Sequence, residues 1–369
     1  MRLVPINSIK PESELAKTIY NARGSVLLKK GVKLTESILK KIYENGIHMI
    51  YINDEYSQGE IEDIIKPELR QKAISAIRET YEKSIVAIQS ELQSAKGIKQ
   101  KNVAKRNENY IQDMNKLASQ LVEEILSKTS TLINLVDIKT MDSYTYEHSL
   151  NVAVLSLVLG VQLKLNKKDL EDLCVGAILH DIGKVIIDPE VFTKMNLSEE
   201  EEKLYETHAE VGYNYLKEYY NLSGRARIIA LQHHERWDGL GYPRHTKEEN
   251  IHKFARIVAI TNTYDRLTSN PYQEDLVPPN EAIEYIMACG GQLFDFEYAN
   301  YFVRNINPYP EGTLVKLSNG ASAVVRASHL NYPLRPIVKT LNIEGQTERE
   351  IDLLKVHDLT IEKILYEVN

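Results

Sequence analysis

The chain has 369 residues, of which 43% are hydrophobic and 26% are charged. This composition is typical of folded globular proteins and unlike that of disordered, collagen-like or coiled-coil sequences. Its length predicts two or three domains. The 45 lysines and arginines are outnumbered by 52 acidic residues, which gives a net charge of -7. This balance argues against a surface that coats DNA, RNA or an anionic membrane, so an anionic substrate would need a local cation.

The cysteines and the apolar segments indicate a cytoplasmic protein. Cys174 and Cys289 lie in apolar stretches with helical character, so the sequence supports neither a disulfide framework nor a thiolate zinc site. The longest apolar run, Val152 to Val161, is much shorter than the roughly 20 residues that span a bilayer. The segment Met1 to Tyr20 lacks the apolar region and cleavage site of a signal peptide. We therefore expect no membrane span and a reducing, cytoplasmic location.

Residues 1–58 are predicted to form a small α+β module. The pattern indicates a strand from Ile19, a turn at Asn21 to Gly24 and a second strand. A helix entered at Thr35 and closed by Gly46 follows, and then a strand from Ile47 to Ile52.

Residues 59–128 are predicted to form a helical linker. Apolar residues recur there at steps of three and four, which places them on one face of each of two helices. The first stripe contains Ile74, Ile77, Tyr81, Ile85, Ile88 and Leu92, and the second contains Ile111, Met114, Leu117, Leu121 and Ile125. These faces can form either a helical hairpin or the seam of a homodimer. The basic segment between them, Lys96 to Asn109, is interpreted as a solvated loop rather than a nucleic-acid patch.

Residues 129–306 have helical character almost throughout, and residues 307–369 change to strands. Tyr146 to Leu163 is apolar on nearly all sides, as in a buried central helix. Ser198 and Glu201 form a capping box before a helix that carries His208. The turn Ser318-Asn319-Gly320 indicates a hairpin in a small C-terminal β module. The expected fold is therefore mainly α, with a helical bundle between two smaller modules.

Histidines are concentrated in the helical part of the chain. Seven of the ten lie there: His148, His180, His208, His233, His234, His245 and His252. His180 is followed by Asp181, and an imidazole next to a carboxylate at a helix end can reach one metal ion. Each histidine alone could be a satisfied core residue or, for His208, a solvent-facing one. Five histidines and one aspartate on four predicted helices instead match the way bundles build dinuclear metal sites.

The chemistry of such a site favours phosphoester hydrolysis. Nitrogen and carboxylate ligands without thiolate suit iron, manganese or zinc. Two such ions about 3.5 to 4 Å apart generate a hydroxide from water and hold the oxygens of an in-line displacement at phosphorus. Lys184, four residues after His180, is placed either to neutralise phosphate charge or to lie solvated at a helix end.

Several motifs, taken in order, resemble the HD-GYP domain, a branch of the HD phosphohydrolase superfamily. They are Tyr144-Thr145-Tyr146-Glu147-His148-Ser149, His180-Asp181-Ile182-Gly183-Lys184, His208, His233-His234-Glu235 and Asp238-Gly239-Leu240-Gly241-Tyr242-Pro243. The likeness covers about Ser130 to Ile306. It implies a helical domain that binds two or three ions, usually iron or manganese. It also implies hydrolysis of cyclic di-GMP to linear pGpG or GMP by a hydroxide that bridges the metals.

The resemblance also implies roles by position. Its metal ligands are His148, His180, Asp181, His208, His233 and His234, with Asn262 at the last ligand position. Asp181, which would bridge the ions, and Lys184, which would contact the scissile phosphate, are the implied catalytic residues. Lys184, Gly241, Tyr242, Pro243 and Arg266 are the implied substrate-binding residues. Family members with a third ion carry glutamate where this chain has Tyr144, so two ions are expected.

Two departures from the family pattern concern activity. Asn262 stands where the family has an aspartate ligand, and an amide brings no charge unless Asp265, one helical turn on, swings in. The segment Ser269-Asn270-Pro271-Tyr272 lacks the arginine that clasps substrate phosphate in the family. Arg266 is the candidate substitute, with a surface or structural salt bridge as its alternative role. A degenerate module that binds metal or nucleotide without turnover, and signals through the flanking segments, is therefore the alternative function.

Overall fold

The structure is a computed structural model. It describes residues 1–20, 25–57, 61, 63–93, 100–128, 144–187, 189–192, 194, 196–269, 277–342 and 347–367. The predicted turn at Asn21 to Gly24 and the segment Asn270 to Tyr272 lie outside these ranges. Within them, no helix combines the length and the apolar character needed to cross a membrane.

The N-terminal module is α+β, as predicted, but its sheet begins earlier than the sequence indicated. Its elements are β1 (Arg2–Pro5), β2 (Glu14–Leu15), β3 (Ile19–Tyr20), β4 (Val26–Leu28), α1 (Glu36–Glu44) and β5 (Met49–Asn53). Strands β1 and β2 flank β5 in an antiparallel sheet, and β3 pairs with β4. Thr35 caps α1 as predicted, because its side chain accepts a hydrogen bond from the N–H of Ile38. The strand predicted at Ile47 begins two residues later, at Met49.

Two long helices follow, α2 (Pro67–Gln93) and α3 (Gln100–Ser127). The loop predicted at Lys96 to Asn109 is wrong from Gln100 onwards, because α3 already begins there. The segment has no proline, and its lysine, arginine, alanine and glutamate residues favour helix without an apolar stripe. The described stripe residues, such as Ile77, Tyr81 and Leu121, are buried in one core with the helices that follow. The apolar faces are thus buried within the chain, as they would be in a helical hairpin. Homodimerisation stays a prediction.

The central part of the chain is a helical bundle. Its helices are α4 (Tyr144–Gln162), α5 (Lys167–Ile178), α6 (Glu199–Tyr219), α7 (Gly224–Gln232), α8 (Lys253–Ser269), α9 (Pro279–Ala288) and α10 (Phe296–Asn305). Every residue of α4 from His148 to Gly160 is buried, as the uniform apolar pattern predicted. The capping box between Ser198 and Glu201 opens α6 as predicted. The bundle thus surrounds α4 on all sides.

A five-stranded antiparallel sheet ends the chain. Its strands are β6 (Leu314–Leu317), β7 (Ser322–His329), β8 (Tyr332–Leu341), β9 (Thr347–Asp352) and β10 (Ile361–Leu365), in the order β10-β6-β7-β8-β9. The hairpin at Asn319-Gly320 joins β6 to β7, and Gly320 has the positive φ of 86° that the turn needs. The fold is therefore mainly α with two small sheet-containing modules, as the sequence predicted.

An ion network ties α5, α7 and α8 together. Arg225 on α7 donates to the carboxylates of Asp169 and Asp172 on α5, and Lys253 on α8 donates to Asp169 at 2.8 Å. The hydrogen bond from Lys253, with the charges of both basic residues, lowers the pKa of Asp169 although its burial opposes this shift. The network joins the N-terminal parts of α5, α7 and α8, three helices that carry much of the site.

We predict that Asp169→Asn lowers the free energy of unfolding by about 1–2 kcal/mol at neutral pH, the range for a hydrogen-bonded charge that is partly screened. Because the folded-state pKa of Asp169 is lowered, its contribution is complete above about pH 4 and is lost as the pH falls further. Urea unfolding of both proteins from neutral pH to about pH 3 tests this. Glu171→Gln on the same helix is the control, and a stability difference that grew on acidification would contradict the prediction.

Candidate functional site

Helix ends converge on one buried carboxylate, that of Asp181. This residue follows α5 and precedes a short 3-10 helix at Ile182–Val185. The histidines around it are His148 on α4, His180 after α5, His208 on α6, and His233 and His234 at the end of α7. All of them are buried except His234, which is partly exposed. The solvent-facing alternative for His208 is therefore wrong, since its exposed fraction is 0%.

The candidate ligand atoms form two groups that share Asp181. One group combines Asp181 with His208, His233 and His234, and the other combines it with His148 and His180. Within each group the atoms lie within 4.8 Å of one another. The Nε2 atoms of His208 and His233 are both 3.5 Å from Oδ1 of Asp181. The Nε2 atoms of His148 and His180 approach Oδ2 at 3.7 and 3.3 Å. One carboxylate therefore faces a separate set of imidazoles with each oxygen.

Backbone carbonyls fix the tautomers of three of these histidines. Nδ1 of His180 lies 2.7 Å from the carbonyl of Ala177, and Nδ1 of His208 lies 2.5 Å from that of Tyr205. Nδ1 of His233 lies 3.0 Å from the carbonyl of Ala230. Since a carbonyl only accepts, each Nδ1 carries the proton and each Nε2 presents a lone pair to the site.

The resulting arrangement fits a metal ion. Nε2 of His208 and Nε2 of His233 face each other at 3.3 Å, where two lone pairs repel unless a cation lies between them. Nε2 of His180, Nε2 of His234 and Oδ1 of Asp181 are also buried without a hydrogen-bond partner among the described residues. Buried polar atoms are normally satisfied, so their convergence without partners among the described residues fits a site that binds a ligand. The cluster is therefore compatible with divalent metal ions.

The protonation states agree with this conclusion. Burial lowers the pKa of His208, His233 and His234, which keeps these imidazoles neutral. Burial alone would raise the pKa of Asp181, but neighbouring His180 and Lys184 outweigh it and hold the pKa well below its usual value. Neutral imidazole and ionised carboxylate are the forms that bind metals.

Asp265 supports His148 and does not face the shared carboxylate. Its Oδ2 accepts a 2.6 Å hydrogen bond from Nδ1 of His148, and its Oδ1 accepts one of 3.1 Å from the side chain of Asn151. This is the carboxylate-histidine arrangement that orients metal-ligating imidazoles. The structure therefore contradicts the expectation that Asp265 swings in as a ligand.

Asn262 lies one turn before Asp265 on α8. Its side chain is 3% exposed, and its Oδ1 has no hydrogen-bond partner in the described part of the chain. A buried amide oxygen in this state is available as a neutral ligand or as an acceptor. The assignment of Asn262 as the last metal ligand stays a prediction.

Lys184 is held at the edge of the cluster. Its Nζ donates to Oδ2 of Asp181 at 2.6 Å, and the side chain is 21% exposed. The ammonium also lies 5.5 Å from the ring centre of Phe192 and 5.7 Å from that of Tyr205. It is therefore not a freely solvated helix-end lysine, because it bridges the shared carboxylate and an aromatic pair.

The predicted signature loop folds back onto the end of α7. A Cβ at Gly241 would lie 2.4 Å from the carbonyl oxygen of His234, so this close approach admits only glycine. The Tyr242 ring stacks on that of His234 with centroids 4.7 Å apart, and the Tyr242-Pro243 peptide is cis. Glu235 belongs to the predicted motif, but no role was predicted for it. It holds the loop by accepting hydrogen bonds from the N–H groups of Arg244 and Thr246.

Two further side chains complete the described surroundings. Tyr144 stacks on His148 with ring centroids 5.4 Å apart, at the position where the resemblance implies glutamate in members with a third ion. Burial would lower the pKa of Arg266, but Tyr205, Tyr144, Tyr242 and Asp181 outweigh it and raise that pKa. Arg266 is thus close enough to the site to interact with Asp181 and with the tyrosines around it.

Comparisons with known proteins place the chain among cyclic dinucleotide phosphodiesterases by similarity. The chain is 36% identical to cyclic di-GMP phosphodiesterase PA4108 of Pseudomonas aeruginosa over 228 residues, which cover 60% of this chain and 55% of that one. It is 32% identical to 3'3'-cGAMP-specific phosphodiesterase 1 of Vibrio cholerae over 51% of this chain and 43% of that one. The chain therefore spans about half the length of the curated relatives it matches. The solved structure of Bd1817, an HDG"Y"P protein from Bdellovibrio bacteriovorus, shares its fold, with a TM-score of 0.51 and 18% identity over 82% of this chain and 98% of that one.

The fold and the site thus define a helical protein with a buried histidine and aspartate cluster suited to divalent metals. The model of the HD domain matches residues 105–297. The chain belongs to the HD domain family, as the His180-Asp181 motif and its companions predicted.

Gly183 gives a direct test of how the cluster is held. A Cβ at this position would lie 2.0 Å from the carbonyl oxygen of His208 and 2.8 Å from the N–H nitrogen of Gly212, both backbone atoms of α6. The 3-10 helix after Asp181 therefore packs directly on the helix that carries His208. Because neither backbone can yield cheaply, an added methyl group must separate the two.

We predict that Gly183→Ala lowers both the melting temperature and the affinity for Mn²⁺, the latter by about tenfold or more, because it moves His208 away from Asp181. Calorimetry of metal binding and thermal unfolding measure the two effects. Gly224→Ala is the matched control, since a Cβ there meets only the end of Arg227 at 4.0 Å. Wild-type metal affinity in folded Gly183→Ala would contradict the packing argument.

Proposed function

We propose that the chain is a metal-dependent phosphodiesterase that hydrolyses a cyclic dinucleotide, with cyclic di-GMP as the foremost candidate. One observation carries the proposal: imidazole lone pairs and Oδ1 of Asp181 converge in a buried site where no hydrogen-bond donor among the described residues satisfies them. The relatives named as cyclic di-GMP and 3'3'-cGAMP phosphodiesterases support this substrate class.

The residues that would hold the two ions are those of the two groups that share Asp181, with Asn262 as a neutral addition. Iron and manganese are the proposed metals and zinc is the alternative, because the donors are imidazole and carboxylate without thiolate. When bound, such ions supply a nucleophile from water at neutral pH and neutralise charge on the phosphodiester.

The chain's own residues position the substrate around this centre. Lys184 lies at the rim with its charge next to Asp181, where it would meet a phosphate oxygen and stabilise the charge that develops there. Arg266 would bring a second cation, in place of the arginine that the following segment lacks. The loop of Gly241, Tyr242 and Pro243 would hold the substrate against the ring of His234.

Asn262 favours a second candidate function, that of a receptor which binds metal or nucleotide without turnover. An amide in place of a carboxylate removes one negative charge from the ligand set, which weakens the hold on an ion. In that case residues 129–306 would bind the metal or nucleotide. The flanking segments, residues 1–58, 59–128 and 307–369, would transmit the signal. The enzyme would hydrolyse the cyclic dinucleotide, whereas the receptor would bind its ligand without turnover.

We predict that protein loaded with Mn²⁺, or with Fe²⁺ under anaerobic conditions, converts cyclic di-GMP to linear products, as followed by chromatography. The same assay with 3'3'-cGAMP measures substrate choice. Lys184→Gln should lower kcat about 100-fold, the effect of removing one charge-stabilising donor. Lys203→Gln, an exposed change on α6, is the control. Binding of cyclic di-GMP without turnover under both metal conditions would reject the enzyme and support the receptor.

Asn262→Asp tests whether the neutral side chain limits the site. Because a carboxylate adds a charged ligand, we expect Mn²⁺ affinity to rise about tenfold, or about 1.4 kcal/mol. Isothermal titration calorimetry measures this directly. Asn280→Asp is the matched control, since Asn280 is also buried with an unpartnered Oδ1 among the described residues but lies on α9. Equal changes in the two variants would mean that Asn262 is not a ligand.

A further inference from the structure

A line of hydrogen bonds connects the metal-site histidine of α4 to helix α2. Nη1 of Arg70 on α2 donates to Oδ1 of Asn151 at 3.0 Å. Nδ2 of Asn151 donates to Oδ1 of Asp265 at 3.1 Å, and Oδ2 of Asp265 accepts from Nδ1 of His148 at 2.6 Å. Helix α2 ends before residue 105, where the match to the HD domain model begins. Arg70, which lies outside the matched region, is therefore connected to the candidate metal site through hydrogen bonds.

Arg70 sets the direction of this line. A guanidinium only donates, so the amide of Asn151 must turn its oxygen towards Arg70 and its NH₂ group towards Asp265. The opposite orientation would bring the amide oxygen against the Asp265 carboxylate. Asn151 is fully buried, so the wrong orientation would leave unsatisfied groups in a medium where they are costly.

Asp265 passes this orientation on to His148. Both of its oxygens accept hydrogen bonds, so the residue is a carboxylate and Nδ1 of His148 carries the proton. Nε2 of His148 then presents its lone pair 3.7 Å from Oδ2 of Asp181. Asp265 and His148 are 2% and 3% exposed, so both residues of this line are shielded from bulk solvent.

Helix α2 is fixed firmly enough to provide such an anchor. The hydroxyl of Tyr81 donates to the carbonyl of Ile178 at 3.1 Å, just before His180. Ile77 and Tyr81 are buried in the core that contains α4 and α5. On its other side, Arg70 lines a cavity of about 380 Å³ together with Lys17 and Tyr51 of the N-terminal module. The line thus begins where this module meets the bundle.

We propose that Arg70 and Asn151 are positioning residues for the metal centre, acting through Asp265 to fix the tautomer and orientation of His148. The inference rests on the proposed metal site and not on the identity of the substrate. Its consequence is that the helix before the HD domain match determines how well one ion is held.

Metal binding without substrate tests this proposal. We expect Arg70→Met, which keeps the apolar stem and removes the donor, to weaken Mn²⁺ binding in calorimetry by about tenfold, the lower end of the effect of removing groups that orient ligands. Asn151→Leu should do the same. The visible absorption of Co²⁺-loaded protein should change in both variants, because the geometry at His148 changes. Arg70→Lys, which restores a donor, should recover most of the affinity.

Arg78→Met is the matched control, since Arg78 lies on the same helix and packs over the Tyr146 ring. Asp265→Asn combined with Arg70→Met should cost little more than Asp265→Asn alone if both act on His148 in sequence. The proposal is overturned if Arg70→Met binds Mn²⁺ like Arg78→Met, or if the double variant shows fully additive losses. Absence of turnover with intact metal affinities would instead count against the proposed function alone.

Discussion

The structure depends on one electrostatic constraint: imidazole lone pairs are directed at each other and at Asp181 inside a mostly buried cluster. Backbone carbonyls hold the Nδ1 protons of His180, His208 and His233, so these rings cannot rotate their N–H groups inward to relieve the repulsion. A divalent cation satisfies these atoms together, because each of them offers it a lone pair. Neutral imidazoles around an ionised carboxylate are the donors that a metal site needs.

Much of this could be predicted from the sequence because the candidate ligands stand in short motifs with fixed local geometry. His180 and Asp181 follow a helix end, and His233 and His234 end another, so their placement needs little tertiary information. The role of Asp265 could not be predicted, since it depends on the register between α8 and α4. From sequence alone the residue suggested a substitute ligand, whereas the fold places it behind His148, where it orients the ring.

Other differences have the same origin in long-range packing. Strand β1 pairs with β5, whose residues lie nearly fifty positions later. Local periodicity in so short a strand does not predict a partner that far away. The helix that begins at Gln100 lacks an apolar stripe there, so only its propensity favoured it. The position of Arg70 was equally invisible, because its spacing on α2 says nothing about a contact with Asn151. Local patterns predicted elements and candidate ligands, and tertiary contacts decided what supports them.

The net charge of -7 acquires a different meaning at this site. Asp181 is the shared carboxylate, and Lys184 already offsets its charge. Two divalent ions would add about four positive charges in one pocket, enough to reverse the local sign for a dinucleotide. If Asn262 is a ligand, its amide leaves the ions with one negative charge fewer than an aspartate would, which weakens the hold on metal and strengthens the attraction for phosphate. The proposed support of His148 from Asp265, Asn151 and Arg70 would then bear more of the metal affinity.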